Sequence, residues 1–518
     1  MYLTQGLHRA LQQQPSGIAT IFGDRVHTFA EQADRVSRLA GALRSLGVAR
    51  DDRVAYLGLN SDRFFEYYLA VPWADAVVNP VNIRWSPSEI AYSLADSQTR
   101  VLFVDDPFLP VLPAVRERYD GLDTVIHVGN GDTPAGLLSY EQLVANGPAI
   151  DDARRGADAL AGIFYTGGTT GFSKGVMLSH ANLLTSALGC QACGLFPAGS
   201  RFLHAAPMFH LADLAAVVGV TIMGGTHVIV PAFDPVVVMR AIAQHRVTDT
   251  VLIPIMIQLL IDHPQRAAHD LSSLRRLLYG GSPIPLAVLD RARKALPTVS
   301  FAQAYGQTEL APIATVLLPA DHEQGGPQPA RLRSGGRAAA HTEVRIVDPE
   351  GREVTRGAVG EIVVRGGNVM LGYWRRPGET EAALRGGWMH TGDAGRMDAD
   401  GYIYVVDRIK DMIITGGENV YSTEVENALA AHPAVANCAV IGAPDEHWGE
   451  RVHAVVVLKP SAHVTAEELR KHTKSLIAGY KVPRMIEFVD VLPVSPAGKI
   501  LKNELRARYG MRHSEHGI

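Results

Sequence analysis

The sequence predicts an α/β protein: a large N-terminal domain of two doubly wound sheets plus a small β-barrel, then a smaller α+β domain. Three observations predict it. Between residues 28 and 305, apolar strand-like runs alternate with stretches of helical period, the pattern of parallel sheets covered by helices. From residue 335 the texture changes to short β runs broken by turns such as Asp348-Pro349-Glu350-Gly351. After Asp411 helices and strands alternate again over about 110 residues, an ordinary domain size. The expected division is 1–407, with the barrel-like or curved-sheet part near 335–407, then 408–410 as a connector, then 411–518. A chain of 518 residues is too long for one core.

Local signals justify the elements in order. Thr28 to Glu31 is a capping box, opening a helix whose apolar face runs through Phe29, Ala33, Val36, Leu39, Leu43 and Leu46 and closes at Gly47. A strand follows at Arg53–Leu59, a helix from Ser61, a strand at Val77-Val78, a helix from Ser86-Pro87-Ser88-Glu89 and a strand at Val101–Val104. Leu160–Tyr165 is a buried strand. Beyond it, strands are expected at Phe202–Ala205, Val228–Val230, Thr250–Ile253, Leu277–Tyr279 and Ser300–Ala304, giving one stack before residue 160 and one after it. Glu343–Val347, Gly360–Arg365 and Gly401–Val405 are the short β runs. The last domain has helices near Thr423–Ala431 and Thr465–Ala478, with strands near Ala439–Ile441, His453–Leu458 and Ile486–Val489.

Composition excludes several function classes. Hydrophobic residues make up 47% and charged residues 20%, with a net charge of −4 and no lysine/arginine block. That balance disfavours nucleic acid or an anionic membrane as the main partner, leaving peripheral membrane contact open. Three cysteines leave one over from any pairing; Cys190 and Cys193 have CxxC spacing without the second pair a zinc site needs, and are read as core residues on a helix. Met1–Leu11 lacks the charged start and apolar core of a signal peptide. The most apolar stretch, Leu211–Val230, is broken by Gly224-Gly225 and carries Asp213 and His227, so it reads as a buried helix and strand rather than a membrane span. The cytoplasm is the expected compartment.

The sharpest chemical signal is Tyr165-Thr166-Gly167-Gly168-Thr169-Thr170-Gly171-Phe172-Ser173-Lys174-Gly175. Small residues let backbone N–H groups converge on an anion while hydroxyls and an ammonium add donors, so a polyphosphate is the expected guest. The Walker pattern fails, because the lysine does not lead into a helix: Val176-Met177-Leu178 reads as extended and the next helix starts at Ser179. Such a loop alone is as well explained by an ordinary turn. Gly280-Gly281-Ser282-Pro283 and Tyr305-Gly306-Gln307-Thr308-Glu309 also follow predicted strands, where the crevice of a doubly wound sheet brings ligands.

Four more patterns follow: Pro207-Met208-Phe209-His210, Thr391-Gly392-Asp393, Asp407-Arg408-Ile409-Lys410-Asp411 with Gly416-Gly417-Glu418-Asn419, and Pro493-Val494-Ser495-Pro496-Ala497-Gly498-Lys499. In this order the motifs resemble the acyl-adenylate-forming superfamily, which includes acyl-CoA synthetases, and they span almost the whole chain. The resemblance implies a ligase using ATP, Mg²⁺ and coenzyme A: carboxylate and ATP give acyl-AMP and pyrophosphate, and a thiol then displaces AMP. It further implies a C-terminal domain that rotates about a hinge at Lys410 between the steps, and a homodimer through the large domain. Gly167, where many relatives carry serine, makes the chain look more like bacterial fatty-acyl-CoA synthetases than aryl ones.

Carried over residue by residue, the resemblance gives Thr166, Gly167, Gly168, Thr169, Thr170, Gly171 and Lys174 to the β- and γ-phosphates. Thr308 contacts the α-phosphate and Glu309 the Mg²⁺. Tyr305, Gly306, Gly280, Gly281 and Ser282 would border the adenine; Asp393, assisted by Arg408, the ribose hydroxyls. Lys499 supplies the cation that stabilises the developing charge of adenylation; on its own it would be read as a solvated surface lysine. His210 lies beside the substrate carboxylate and gates the acyl tunnel, lined by Phe209, Leu211, Ala212, Val251, Ile255, Tyr279, Ala311 and Pro312. Asp213 lies where adenylation domains for amino acids pair an ammonium, a substrate class disfavoured here. Gly416 and Gly417 line a pantetheine tunnel, Trp448 packs on the adenine of CoA, and Arg84, Lys481 and Arg484 meet its phosphates. Three alternatives stay open: loading of a carrier protein, a non-catalytic acyl- or nucleotide-binding relative, and a phosphotransferase releasing ADP. The acid is a medium/long-chain fatty acid or an aryl acid.

Overall fold

The computed structural model describes residues 1–166, 173–323, 329–416, 418–445, 447–494 and 500–509. The chain divides into two compact units, one of Met1–Val344, Val364–His390 and Asp400–Ile403, the other of Arg345–Val363, Thr391–Ala399 and Tyr404–Ile518.

The larger unit holds two mixed sheets. The nine-stranded sheet runs, from edge to edge, through Arg337–Ala338, Ile313–Leu317, Ser300–Gly306, Arg276–Gly280, Asp249–Leu252, Arg201–His204, Thr226–Ile229, Ile18–Phe22 and Arg25–Thr28. The eight-stranded sheet runs through Gly372–Tyr373, Lys174–Ser179, Leu160–Thr166, Val77–Pro80, Arg53–Leu57, Val101–Val104, Thr124–His127 and Leu138–Ser139. Inner strands pair in parallel, as alternating strands and helices demand; antiparallel strands close both edges of the nine-stranded sheet and one edge of the eight-stranded sheet, whose other edge, Leu138–Ser139, pairs in parallel. The expected division at residue 160 is corrected here. Ile18–Phe22 pairs in parallel with Thr226–Ile229, covering an edge that would otherwise offer unpaired backbone, whereas the strands flanking the glycine loop belong to the earlier sheet.

Caps read from sequence are present: the Thr28/Glu31 and Ser86/Glu89 boxes are reciprocal, and the Ser61 hydroxyl accepts from Phe64 N–H. Every residue of helix Asp62–Trp73 is buried, including Phe64, Phe65, Tyr67 and Tyr68. Its charged members survive there by pairing: Glu66 accepts from Arg35 at 2.6 Å and Asp62 from Arg25 at 2.7 Å.

The short β runs form a four-stranded sheet in the order Thr342–Val347, Val359–Gly366, Met389–Met397, Ile403–Arg408. In the smaller unit a five-stranded sheet contains Glu418–Val420, Ile413–Thr415, Gly449–Leu458, Val435–Asp445 and Met485–Phe488. The hairpin of Val435–Asp445 with Gly449–Leu458 is longer than its apolar centre suggests, and the Asp445 carboxylate fixes its turn by accepting from His447 and Trp448 N–H. The helix expected to reach Ala478 ends at Lys474, where Ser475 turns its hydroxyl back onto the His472 carbonyl. Among the described residues no helix is long and apolar enough to cross a membrane. Cys190 is a buried helical residue as expected, but Cys193 is only half-buried and caps that helix.

Candidate functional site

Gly167, Gly168, Thr169, Thr170 and Gly171 lie outside the described residues. Their flanks are described: Thr166 pairs with Lys174 in an antiparallel ladder, so the loop joins the arms of a β-hairpin. The helix follows one strand later, opened by a reciprocal cap between Ser179 and Asn182. This agrees with the rejection of a Walker loop.

On the other side of strand Lys174–Ser179 runs Gly372–Tyr373, pairing Tyr373 with Val176. Trp374 N–H donates to the Gly175 carbonyl at 2.7 Å, and a Cβ on Gly175 would lie 2.7 Å from Ile163 Cγ2, so glycine is required by the crowding around that strand. Tyr373 joins two motifs. Its hydroxyl donates to Glu309 Oε1 at 2.8 Å, and Lys174 Nζ sits 5.1 Å from its ring centroid. Lys174 also pairs with Glu379.

Thr308–Leu310 is a single 3₁₀ turn, ended by Ala311 in the left-handed conformation at φ 54°. Glu309 is buried on it at 8% exposure while Thr308 is half-buried. The turn is braced by segment 368–370: Met370 N–H donates to the Glu309 carbonyl, and the Asn368 amide donates to the carbonyls of Leu310 and Ile313. Asn182 holds that segment in turn through the carbonyls of Gly367 and Val369. Lys174 and Glu309, from motifs 135 positions apart by their numbers, thus meet on one tyrosine. Tyr373, Glu379 and Asn368 were missed in the sequence; the Leu371-Gly372-Tyr373-Trp374 turn was the only local signal for them.

Tyr305 is half-buried at a strand end. A Cβ on Gly306 would lie 2.0 Å from the Pro312 carbonyl oxygen, and one on Gly280 would lie 2.5 Å from that of Ala304. Neighbouring backbone, rather than a ligand, therefore requires glycine at these two positions. Gly281, at φ 78°, and Ser282 are exposed.

Phe209, Leu211 and Ala311 share one apolar cluster, and His210, the N-cap of helix Leu211–Ile222, packs its ring 4.2 Å from that of Phe209. The rest of the expected acyl lining does not assemble. Parallel pairing of Val251 with Leu278 and Leu252 with Tyr279 puts Val251 and Tyr279 on opposite faces of their sheet. Tyr279 is fully buried in another cluster, its hydroxyl donating to His322 Nε2 at 2.9 Å, and Ile255 is 52% exposed. Ala212 is exposed too. Asp213 is fully buried and hydrogen-bonded to His204 at 2.8 Å, so it does not offer its charge to an amino acid.

In the smaller unit Asp393 is 5% exposed and pairs with Arg408 at 2.7 Å. The Thr391 hydroxyl accepts from Asp393 N–H and donates to the Ile362 carbonyl, fixing the turn that presents the carboxylate. Lys410 lies in a one-turn 3₁₀ helix, Ile409–Asp411. Asp407, just before it, accepts from the Ser422 hydroxyl at 2.6 Å, and Lys502 pairs with Glu426 at 2.8 Å. Gly417 and Lys499 lie outside the described residues.

Three of the CoA candidates form one cluster. Gly416, at φ 60°, has Trp448 against it: a Cβ there would lie 2.6 Å from Trp448 Cε3. The Arg484 guanidinium sits 4.5 Å from the centroid of the Trp448 ring, which is 37% exposed. Lys481 instead gives its ammonium to both oxygens of Glu424 at 2.8 Å. Arg84, in the larger unit, is exposed.

Comparison with known proteins gives one consistent answer. Residues 7–374 match the family model of AMP-binding enzymes, and residues 424–499 match that of the AMP-binding enzyme C-terminal domain. A feruloyl-CoA synthase from Amycolatopsis sp is 41% identical over 507 residues, covering 97% of this chain and 98% of its own. An indoleacetate–CoA ligase from Aromatoleum aromaticum is 38% identical over 510 residues, 98% of each chain. A solved structure of o-succinylbenzoate CoA synthetase from Bacillus subtilis, in complex with its acyl-adenylate intermediate, superposes with a TM-score of 0.86 at 31% identity, over 98% of each chain.

Proposed function

The chain belongs to the AMP-binding enzyme family, and from that premise we propose that it is an ATP-dependent ligase joining an aryl-substituted carboxylic acid to CoA in two steps. The observation that carries the reading is the meeting of Lys174 and Glu309 on Tyr373. It couples the base of the phosphate loop to the carboxylate that would face the Mg²⁺. In the first step the acid's carboxylate attacks the α-phosphorus and pyrophosphate leaves. Lys174 attracts the departing phosphates, and Lys499 stabilises the charge on the pentavalent centre. In the second, the CoA thiol attacks the acyl carbonyl and AMP leaves.

Thr308 and Glu309 suit Mg²⁺, because a hydroxyl and a carboxylate are hard oxygen donors and the Tyr373 hydroxyl orients the carboxylate from behind. When bound, the ion would neutralise phosphate charge. Asp393, held by Arg408, would accept from the ribose hydroxyls. The cluster of Gly416, Trp448 and Arg484 favours free CoA over a carrier-protein thiol, since a ring and a cation suit a nucleotide's base and phosphates.

An aryl acid is preferred to a fatty acid because two relatives at 38–41% identity are named for ferulate and indoleacetate. That outweighs the single-residue hint of Gly167. The test is a panel of ferulate, indoleacetate, a medium-chain and a long-chain fatty acid, scored by AMP and acyl-CoA formation with ATP and CoA. AMP release with an aryl acid is expected. ADP as product, or nucleotide turnover indifferent to every acid, would overturn the reading.

A further inference from the structure

A buried chain of four side chains in the larger unit takes no part in the chemistry just described. Asp213 Oδ2 lies 2.8 Å from His204 Nδ1, His204 Nε2 lies 2.9 Å from His227 Nδ1, and His227 Nε2 lies 3.0 Å from Thr221 Oγ1. All four residues are at most 2% exposed. The protons can be placed. Thr221 gives its hydroxyl proton to the Val217 carbonyl at 2.6 Å, so its oxygen accepts from His227 Nε2–H. His227 Nδ1 must then accept from His204 Nε2–H. One proton remains between His204 Nδ1 and Asp213, which makes the pair neutral overall. Burial pushes the His227 imidazole well below its usual range, in keeping with a neutral ring there.

The chain has a place in the fold. His204 ends strand Arg201–His204, and Asp213 lies in the first turn of helix Leu211–Ile222. Their bond therefore closes the base of segment 205–210, which carries Phe209 and His210. Asn60 grips the same segment from another side: its Oδ1 accepts from Met208 N–H, and its amide donates to the Ala206 carbonyl, each at 2.8 Å. Tyr68 donates to the Met208 carbonyl at 2.6 Å. A buried acid–base pair is a poor source of stability compared with apolar residues of the same volume, and Asp213 Oδ1 has no hydrogen-bond partner among the described residues. What such a pair supplies well is a fixed geometry.

We propose that Asp213, His204 and Asn60 are positioning residues, which hold Phe209 and His210 where the acid's carboxylate enters. The inference rests on the ligase reading, which places His210 beside that carboxylate. Asp213→Ala should raise KM for the acid about tenfold or more in acid-dependent pyrophosphate exchange while KM for ATP stays within about twofold. Asp213→Asn should restore the acid KM to within about threefold, because an amide N–H can donate to His204 Nδ1 and leave the rest of the chain in place. If Asp213→Ala does not fold, Asn60→Asp tests the same point, since a carboxylate cannot donate to the Ala206 carbonyl. A rise confined to the acid KM is expected there as well. Equal shifts in both KM values, an unchanged acid KM, or an Asp213→Asn variant no better than alanine would each overturn the proposal. Wild-type enzyme inert with every acid of the panel would instead remove the ligase reading itself.

Discussion

Two of the aromatic rings that carry a cation are built differently. In the larger unit Lys174 lies over Tyr373, whose hydroxyl is bound to Glu309, while Lys174 pairs with Glu379. In the smaller unit Arg484 lies over Trp448, which rests on the bare Cα of Gly416 with more than a third of its surface open. Each of the four side chains of the first has a partner, as would suit a site that meets a fixed arrangement of phosphates. The second leaves more than a third of the ring exposed beside the guanidinium, as would suit a ligand that docks and departs. The difference teaches that the same pair of groups serves as a scaffold or as a platform according to what else touches it.

Glu309→Gln should break the scaffold most severely. It keeps the shape and loses the charge, so acid-dependent pyrophosphate exchange should fall by about 10²–10³-fold. Thioester formation from supplied acyl-AMP should fall far less, and equal loss in both assays would erase the distinction between the regions.

Acid should probe both units together. Burial lowers His180 in the larger unit and His453 in the smaller to about 4, and among the described residues neither His453 ring nitrogen has a hydrogen-bond partner. Folded pKa values below the unfolded one of about 6.5 mean that the unfolded chain binds more protons, so their contribution is complete above pH 6.5 and is lost as pH falls toward 4. Each ring should remove about 1.4 kcal/mol per pH unit within that window, read as a falling urea midpoint between pH 7 and 4.5. A midpoint constant across the window would contradict both burials.

Gly416→Ala should sharpen the comparison, because its Cβ must displace the Trp448 ring from a backbone already at positive φ. KM for CoA should rise about tenfold with pyrophosphate exchange intact. Tyr373→Phe should lower exchange by about five- to tenfold, near the upper worth of an ordinary hydrogen bond. Trp448→Ala should give the smallest effect, a rise in CoA KM of about threefold to fivefold, reflecting a partly exposed cation–π contact.

Much of the fold was legible because its signals are local. Thr28, Ser61, Ser86 and Ser179 each announce a helix within four residues, and the apolar runs announce strands. Pairing across the sequence was not legible. Nothing near Ile18–Phe22 says that it joins Thr226–Ile229, and nothing near Lys174 names Tyr373 or Glu379. Strand parity separates Val251 from Tyr279 in principle, yet which face borders an acid pocket depends on the helices laid over each face. Lys481 shows a related blind spot: a basic residue reads as a phosphate partner until its carboxylate, Glu424, is found beside it.

The hairpin that opposes Thr166 to Lys174 also sets the terms on which this chain can drift over evolutionary time. A single deletion within either arm would invert the alternation of side chains and swing Lys174 to the reverse of the ribbon, away from Tyr373. Lineages descended from this sequence should therefore keep the phase of the two arms that bound the turn.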